Sequence, residues 1–430
     1  MSTSVQNASK ARLARRFDDV RQATVRLCDG LTPEDCVVQS MTEASPVKWH
    51  LAHTSWFFET FVLAEAVPDH RPFHPRFSFL FNSYYDTVGE RVARAERGLL
   101  TRPSLDEVFA YRRHVDDQVS ALLEAERLSE AQQAVVRLGI AHEEQHQELI
   151  LTDLKHHLWR NPLRPVYRET ARSASEVAAL RFERFDEGLH PIGSGDESFT
   201  FDNERPRHRV FVQAFELASR PVTVGEYLEF MQDGGYETPQ LWLSDGWARV
   251  QEDGWQAPLY WERQDDGWSS FTLSGMRPIE PAEPVCHVSY FEADAFATWA
   301  GARLPREAEW EVAAASAPGH VDTPAVNLVE NGAFHPRTTA GPRTTAGAEG
   351  IAGLFGDVWE WTQSPYTAYP GYRIAEGALG EYNGKFMCNQ FVLRGGSCAT
   401  PRAHIRASYR NFFQPELRWQ FSGLRLARDV

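Results

Sequence analysis

The chain has 430 residues, 42% hydrophobic and 12% aromatic, enough for two or three domains each with its own core. A net charge of -15 argues against nucleic acid or an anionic membrane as the main partner, and no apolar run approaches membrane-spanning length. Five widely spaced cysteines, never in a CxxC pair, fit a reducing cytosol better than a disulfide scaffold. Residues 1–16 lack the apolar core of a signal peptide, so a cytoplasmic location is expected.

Residues 9–160 read as helical. Residues 11–27 alternate charged and apolar positions at helical spacing, and Thr32-Pro33-Glu34-Asp35 has the form of a helix start. Residues 47–66 are apolar and aromatic and carry His50 and His53. Ser104-Leu105-Asp106-Glu107 is a capping box opening a helix to about Glu126, and Ser129 with Gln132 opens a long one to about Trp159. Gly139 interrupts that last helix at a cost of about 1 kcal/mol relative to alanine. Four helices with one long insertion, residues 67–103, describe a bundle, a fold that builds metal sites from facing helices.

On the last helix His142 and His146 stand roughly 40° apart around the axis and about 6 Å along it. Both imidazoles therefore share a face and can share a metal; the competing reading is a solvated charged face with two incidental histidines. Glu148, about 200° around from His146, cannot join them and takes a supporting or structural place. A third ligand should come from another helix. His50 and His53 are both candidates, roughly 60° apart on neighbouring parts of one face, and spacing does not choose between them. His156 and His157 look like C-terminal helix cations favoured by the macrodipole.

After Pro162 the pattern changes. Residues 161–185 are polar and look like a connecting segment, and from about Gly188 onward short β-rich runs, glycines and tryptophans dominate. Asp-Gly-Trp at 245–247, 253–255 and 266–268 is expected to form turns of a β-meander. Helices are expected at 223–233, 290–301 and 306–315. The reading is an α+β two-domain chain: a helical bundle over 9–160, a connecting segment over 161–185 and a second domain over 186–430.

The stretches Pro191-Ile192-Gly193, Arg220-Pro221-Val222-Thr223, Pro284-Val285-Cys286-His287-Val288-Ser289-Tyr290, Arg303-Leu304-Pro305-Arg306-Glu307-Ala308-Glu309-Trp310-Glu311, Gly356-Asp357-Val358-Trp359-Glu360-Trp361 and Arg394-Gly395-Gly396-Ser397 are specific in combination. Through them the second half resembles the formylglycine-generating-enzyme (sulfatase-modifying factor) family, which has a C-type-lectin-like fold. Trp310, Trp359 and Trp361 are then expected in the core. Arg306 stands where threonine is usual, which removes a capping side chain. The positions equivalent to that family's copper-binding cysteine pair look like Thr400 and Ile405, so its thiol chemistry is not expected here, and Cys398 alone cannot replace it.

The first half looks like a DinB-like four-helix bundle. His142-x-x-x-His146-x-Glu148, Leu51-Ala52-His53, Phe81-Asn82-Ser83-Tyr84-Tyr85, Arg97-Gly98 and Arg410-Asn411-Phe412-Phe413 are similar to the iron-dependent sulfoxide synthases of ergothioneine biosynthesis, which carry the two domains in this order. The resemblance implies the metal ligands His53, His142 and His146, with His50 outside the set and replaceable by alanine without loss. It implies an active site at the seam of the two domains. The reaction it implies joins a thiol sulfur to the imidazole of Nα,Nα,Nα-trimethylhistidine (hercynine) and oxidises the sulfur with O₂. Three neutral histidines leave half of an octahedron free for such chemistry, and Fe(II) is the cofactor expected because zinc cannot activate O₂ by electron transfer.

Phe412 and Phe413 are expected to face the quaternary ammonium, Asn411 the hercynine carboxylate, and Gln145 the substrate imidazole. Arg94 and Arg97, with Arg91 close behind, are the expected anchors for the carboxylate of the thiol, for which cysteine is preferred over γ-glutamylcysteine. Tyr84 and Tyr85 are the expected proton donors. An extended loop would point them to opposite faces, so that only one reaches the metal. Tyr366, Tyr369 or Tyr382 of the second domain is the alternative donor. Partners are small molecules, with neither nucleic acid nor membrane, and homo-oligomerisation stays open. Competing functions are an ovothiol-type 5-histidylcysteine sulfoxide synthase, a non-redox metal-dependent thiol transferase and a lectin-like binding module.

Overall fold

The computed structural model describes residues 3–170, 177–195, 199–265, 267–316, 326–339 and 350–430. Residues 171–176 of the expected connecting segment and Asp266 of the third Asp-Gly-Trp lie outside them. The chain divides into two units. The first is Met1–Pro162 with Ala375–Tyr382, and the second is Leu163–Ile374 with Asn383–Val430.

Helices of the first unit are α1 (Thr3–Arg26), α2 (Val47–Phe58), α3 (Ala64–Ala66), α4 (Phe77–Phe81), α5 (Leu105–Glu124) and α6 (Glu130–Arg160). A π-helical turn, Glu59–Leu63, joins α2 to α3. The capping boxes do what their residues predict: Ser104 and Ser129 each accept an N–H three residues on, and Glu107 and Gln132 accept the serine N–H in return. At Thr32 and Asp35 the reciprocal bonds also form, but only a 3-10 turn, Asp35–Val37, follows.

Every residue of α2 is buried, as befits a helix that is apolar nearly all round. α1, α2, α5 and α6 pack around one another. Gly139 of α6 is required by that packing: a Cβ there would stand 2.5 Å and 2.9 Å from the rings of Phe58 and Phe57. A buried ionic knot ties the bundle. Glu143 accepts from Arg21 (2.8 Å), Arg112 (2.6 Å) and the Thr24 hydroxyl (2.6 Å), and all four side chains are buried. The two guanidiniums hold its carboxyl down at about 2, against burial.

The C-terminal end of α6 differs from the expectation. His156 and His157 are buried, not exposed cations, and burial lowers the pKa of both, that of His156 to about 4. Ser40 Oγ meets both Nδ1 atoms, at 2.6 Å and 2.7 Å. His157 Nε2 faces the Ser45 carbonyl at 3.2 Å and so carries the proton there. Its Nδ1 therefore accepts from Ser40, and His156 Nδ1–H donates to the same hydroxyl.

The second unit is α+β. Its strands are β1 (Phe182–Phe185), β2 (Gly188–Ile192), β3 (His208–Val212), β4 (Phe215–Ala218), β5 (Trp261–Gln264), β6 (Gly267–Thr272), β7 (Gly275–Pro278), β8 (Trp359–Pro365), β9 (Phe391–Arg394), β10 (Asn411–Phe413), β11 (Ser422–Gly423) and β12 (Ala427–Asp429). They form small sheets ordered β1-β4-β12, β10-β9-β8-β11, β2-β3 and β5-β6-β7. The helices are α7 (Val224–Gln232), α8 (Ser244–Asp253), α9 (Tyr290–Trp299) and α10 (Glu307–Ala315). Trp310, Trp359 and Trp361 are core residues, at most 1% exposed. Trp310 Nε1–H donates to Glu360 at 2.8 Å, and the same carboxylate takes Arg425 at 2.7 Å. Thr400 and Ile405 are buried, with Thr400 Oγ1 accepting the Ser397 N–H at 2.8 Å.

The first two Asp-Gly-Trp triplets are not hairpin turns. Gly246 sits in the first turn of α8, where a Cβ would lie 2.7 Å from Phe291 Cβ, and Gly254 ends the same helix at φ +64°. Glycine serves close helix packing and the left-handed cap as well as it serves hairpins. At the start of α10 the missing threonine is offset: Glu309 still accepts the Arg306 N–H (2.7 Å) and pairs with Arg306 Nη1 (2.8 Å). Among the described residues no helix is long and apolar enough to cross a membrane.

Candidate metal centre

The bundle core brings together one histidine from α2 and two from α6. One nitrogen each of His53, His142 and His146 lies within 4.8 Å of the others, and all three residues are buried. Burial lowers every one of these imidazole pKa values, that of His142 to about 3, and neighbouring histidines lower His53 and His146 further. The three rings are therefore neutral at pH 7, the form that binds a metal.

Each ring is oriented differently. His53 Nδ1 meets the Phe81 carbonyl at 2.6 Å, and since a carbonyl only accepts, the proton sits on Nδ1. Its Nε2 has no hydrogen-bond partner among the described residues. The ring plane is held between Trp49 (4.5 Å, 14°) and Trp56 (5.4 Å, 16°). Among the described residues His142 has no partner on either nitrogen, and it packs edge-on to its neighbours His53 and His146. A buried nitrogen left without a partner costs free energy, and a metal ion would satisfy it. His50 stands apart, with Nδ1 at 2.8 Å from His146 Nδ1 and Nε2 at 3.1 Å from Asp153 Oδ2. The donor set and its orphaned nitrogens fit a resident metal.

Tyr382 is placed beside this cluster, although it was expected as a second-domain residue. Its ring lies edge-on to His142 at 5.6 Å, and its hydroxyl donates to Gln145 Oε1. The preceding Glu381 fastens it, accepting the N–H groups of Asp86 and Thr87 at 3.0 Å each and the Thr87 hydroxyl at 2.7 Å. Tyr84 is 6.2 Å from the Tyr382 ring. Tyr84 and Tyr85 do not point to opposite faces. Their rings stack at 4.7 Å, because Asn82 Oδ1 and Nδ2 bond back to the backbone N–H and carbonyl of Tyr85 and curl the segment into a turn. Tyr85 is buried against Trp56 and Phe61, and burial pushes its phenol well above the ordinary value.

Arg97 is 5% exposed, with its guanidinium 3.4 Å over the Trp49 ring and its Nη atoms on the Ser45 and Ser83 hydroxyls. No carboxylate among the described residues pairs with it, and burial holds its pKa well below the ordinary value. Arg94 is exposed and donates to the Glu43 carbonyl, and Arg91 pairs with Asp86.

In the second unit Asn411, Phe412 and Phe413 are β10 itself and half-buried. Asn411 Oδ1 accepts the Phe412 N–H at 2.9 Å. Phe412 stacks on Tyr366 at 4.0 Å, while Phe413 meets Trp419 edge-on at 5.5 Å. Strand alternation separates the two rings into different aromatic groups, which the sequence Asn-Phe-Phe in a strand already dictates.

Residues 184–430 match the family described as Sulfatase-modifying factor enzyme 1-like domain, and residues 16–150 match the DinB superfamily. A hercynine oxygenase of Mycolicibacterium thermoresistibile is 34% identical over 100% of this chain and 97% of its own length. One of Mycobacterium tuberculosis is 33% identical over 98% of this chain and 100% of its own. The formylglycine-generating enzyme of Bos taurus is 27% identical over 56% of this chain and 73% of its own. A helical first unit with a buried three-histidine cluster, an α+β second unit and full-length likeness together make this chain a member of the hercynine oxygenase family.

Proposed function

We propose that this chain is a cytoplasmic enzyme that joins the sulfur of cysteine to the imidazole of hercynine and oxidises it to a sulfoxide with O₂, in ergothioneine biosynthesis. Iron(II) would be held by His53, His142 and His146, and it supplies the redox chemistry toward O₂ that a closed-shell metal lacks. The observation that supports the reading is the convergence of three buried, neutral imidazoles, with nitrogens of His53 and His142 left unpartnered among the described residues.

The other side chains supply binding and proton placement. Arg97, a buried guanidinium with only neutral partners, is suited to take the carboxylate of the thiol substrate, with the exposed Arg94 as its neighbour. Gln145 offers an amide beside His146, and Phe412, Phe413 and Asn411 are assigned to hercynine. Tyr84, Tyr85 and Tyr382 form a phenol group from which one hydroxyl proton can be delivered. Of these, Tyr382 has its hydroxyl directed to Gln145 and its ring against His142.

Anaerobic loading with Fe(II), followed by O₂ uptake in the presence of hercynine and cysteine and by product mass, tests the reading. Uptake coupled to a sulfoxide adduct is expected. Thiol transfer without O₂ uptake would make the protein a non-redox transferase, and neither metal binding nor uptake would make it a binding module. γ-Glutamylcysteine in place of cysteine should support a lower kcat/KM.

A further inference from the structure

We infer that His50 and Asp153 form a two-residue relay that holds His146 with Nε2 turned to the metal. This deepens the metal-centre reading above and rests on it. Among the described residues His146 is hydrogen-bonded through Nδ1, to His50 Nδ1 at 2.8 Å. For His146 to offer Nε2 to a metal, its proton must sit on Nδ1, and His50 Nδ1 must then accept it. A neutral His50 that accepts at Nδ1 carries its own proton on Nε2. That nitrogen faces Asp153 Oδ2 at 3.1 Å, an oxygen that also accepts the Ser45 N–H at 2.8 Å. Each nitrogen of His50 thus has a partner in one self-consistent tautomer.

The chain of contacts is a carboxylate–histidine–metal arrangement with an extra imidazole inserted. It explains why a polar pair, His50 at 2% and Asp153 at 1% exposure, is kept in the bundle core beside the cluster. It also makes the three ligands unequal. His53 is fixed by a backbone carbonyl and two stacked indoles, which no side-chain change at His50 removes. His142 has no hydrogen-bonded support among the described residues. Of the three, only His146 is held by a hydrogen bond to another side chain among the described residues, so His50, expected to be replaceable by alanine, is assigned as a positioning residue.

Anaerobic titration with Co(II) alone, read by its visible bands, separates the outcomes. The wild type and the variants H53A, H142A, H146A, H50L and H50Q are compared, with unfolding of each metal-free protein recorded alongside. His50→Leu fills the space without a donor or acceptor, and His50→Gln restores one of each. We expect H50L to bind Co(II) about 10- to 100-fold more weakly with altered bands, and H50Q to recover most of the affinity. The unfolding midpoints of H50L and H50Q should not follow that order. Wild-type affinity and bands in H50L would overturn the relay, as would equal losses in H50L and H50Q. Failure of the wild type to bind, or full binding by H53A, H142A or H146A, would instead remove the metal centre itself. If H50L does not fold, tautomers read from ¹⁵N-histidine NMR of the Zn(II)-loaded wild type decide. Protonated His146 Nδ1 and His50 Nε2 support the relay, and any other pair of tautomers refutes it.

Discussion

Single residues carry the sharpest tests. Tyr382 combines a ring against His142 with a hydroxyl held on Gln145, whereas Tyr85 is buried among Trp56 and Phe61. We predict that Tyr382→Phe still consumes O₂ but diverts product from sulfoxide toward cysteine sulfinic acid. It should do so more strongly than the Tyr84→Phe, Tyr85→Phe double variant, as product mass would report. An unchanged product ratio in both would remove the phenols from proton delivery. Phe412 and Phe413 pack into different aromatic groups, so one ring rather than both should meet the quaternary cation. Single leucine variants should therefore split: one raises KM for hercynine over histidine by an amount worth about 0.5 to 2 kcal/mol, and the other moves both substrates alike. Membership of the histidine cluster was only half legible at this scale. Helical spacing paired His142 with His146, but His50 and His53 lie too close around α2 for spacing to separate them. What distinguishes them is the distant Phe81 carbonyl and Asp153 carboxylate, which no local pattern encodes.

Elements were legible where capping chemistry is local. Ser104 and Ser129 each start the helix they announce, because the bonds involved span three residues. They were illegible where the same residue serves two ends, as with Gly246 and Gly254 at the start and finish of α8. Gly139 inverts the propensity argument. Alanine would favour an isolated helix by about 1 kcal/mol, yet its Cβ would enter the rings of Phe57 and Phe58. We expect Gly139→Ala to lower stability by about 1 to 3 kcal/mol in thermal or denaturant unfolding, and a more stable variant would contradict the packing. His156 and His157 illustrate the other failure. A macrodipole favours cations at a helix end only if that end is solvated, and this one is buried.

At the level of the whole molecule, two buried groups, one in each unit, carry opposite pH responses. In the bundle the pKa of His156 is lowered to about 4 from 6.5, so its contribution to stability is present above pH 6.5 and lost as pH falls toward 4. In the second unit burial raises Asp357 to about 6 from 3.8, so its contribution is present below pH 3.8 and lost as pH rises through 6. The upper bounds are about 3.5 kcal/mol for His156 and about 3 kcal/mol for Asp357, at roughly 1.4 kcal/mol per pKa unit. Asp357→Asn should flatten the pH dependence of second-unit unfolding between about pH 4 and 6, since an amide oxygen still accepts from Asn327 and Arg337. A slope unchanged in that variant would assign the dependence elsewhere. The division between helical and β-rich halves was visible in composition and motif order. The membership of Ala375–Tyr382 was not, because only tertiary contact defines it. That segment has a consequence for how such proteins can be recombined. A bundle cut from this chain at Pro162 and grafted onto another partner would keep its three histidines and leave Tyr382 behind. If Tyr382 delivers the proton as proposed, the working centre is split across two distant stretches of gene, and both must come from one parent.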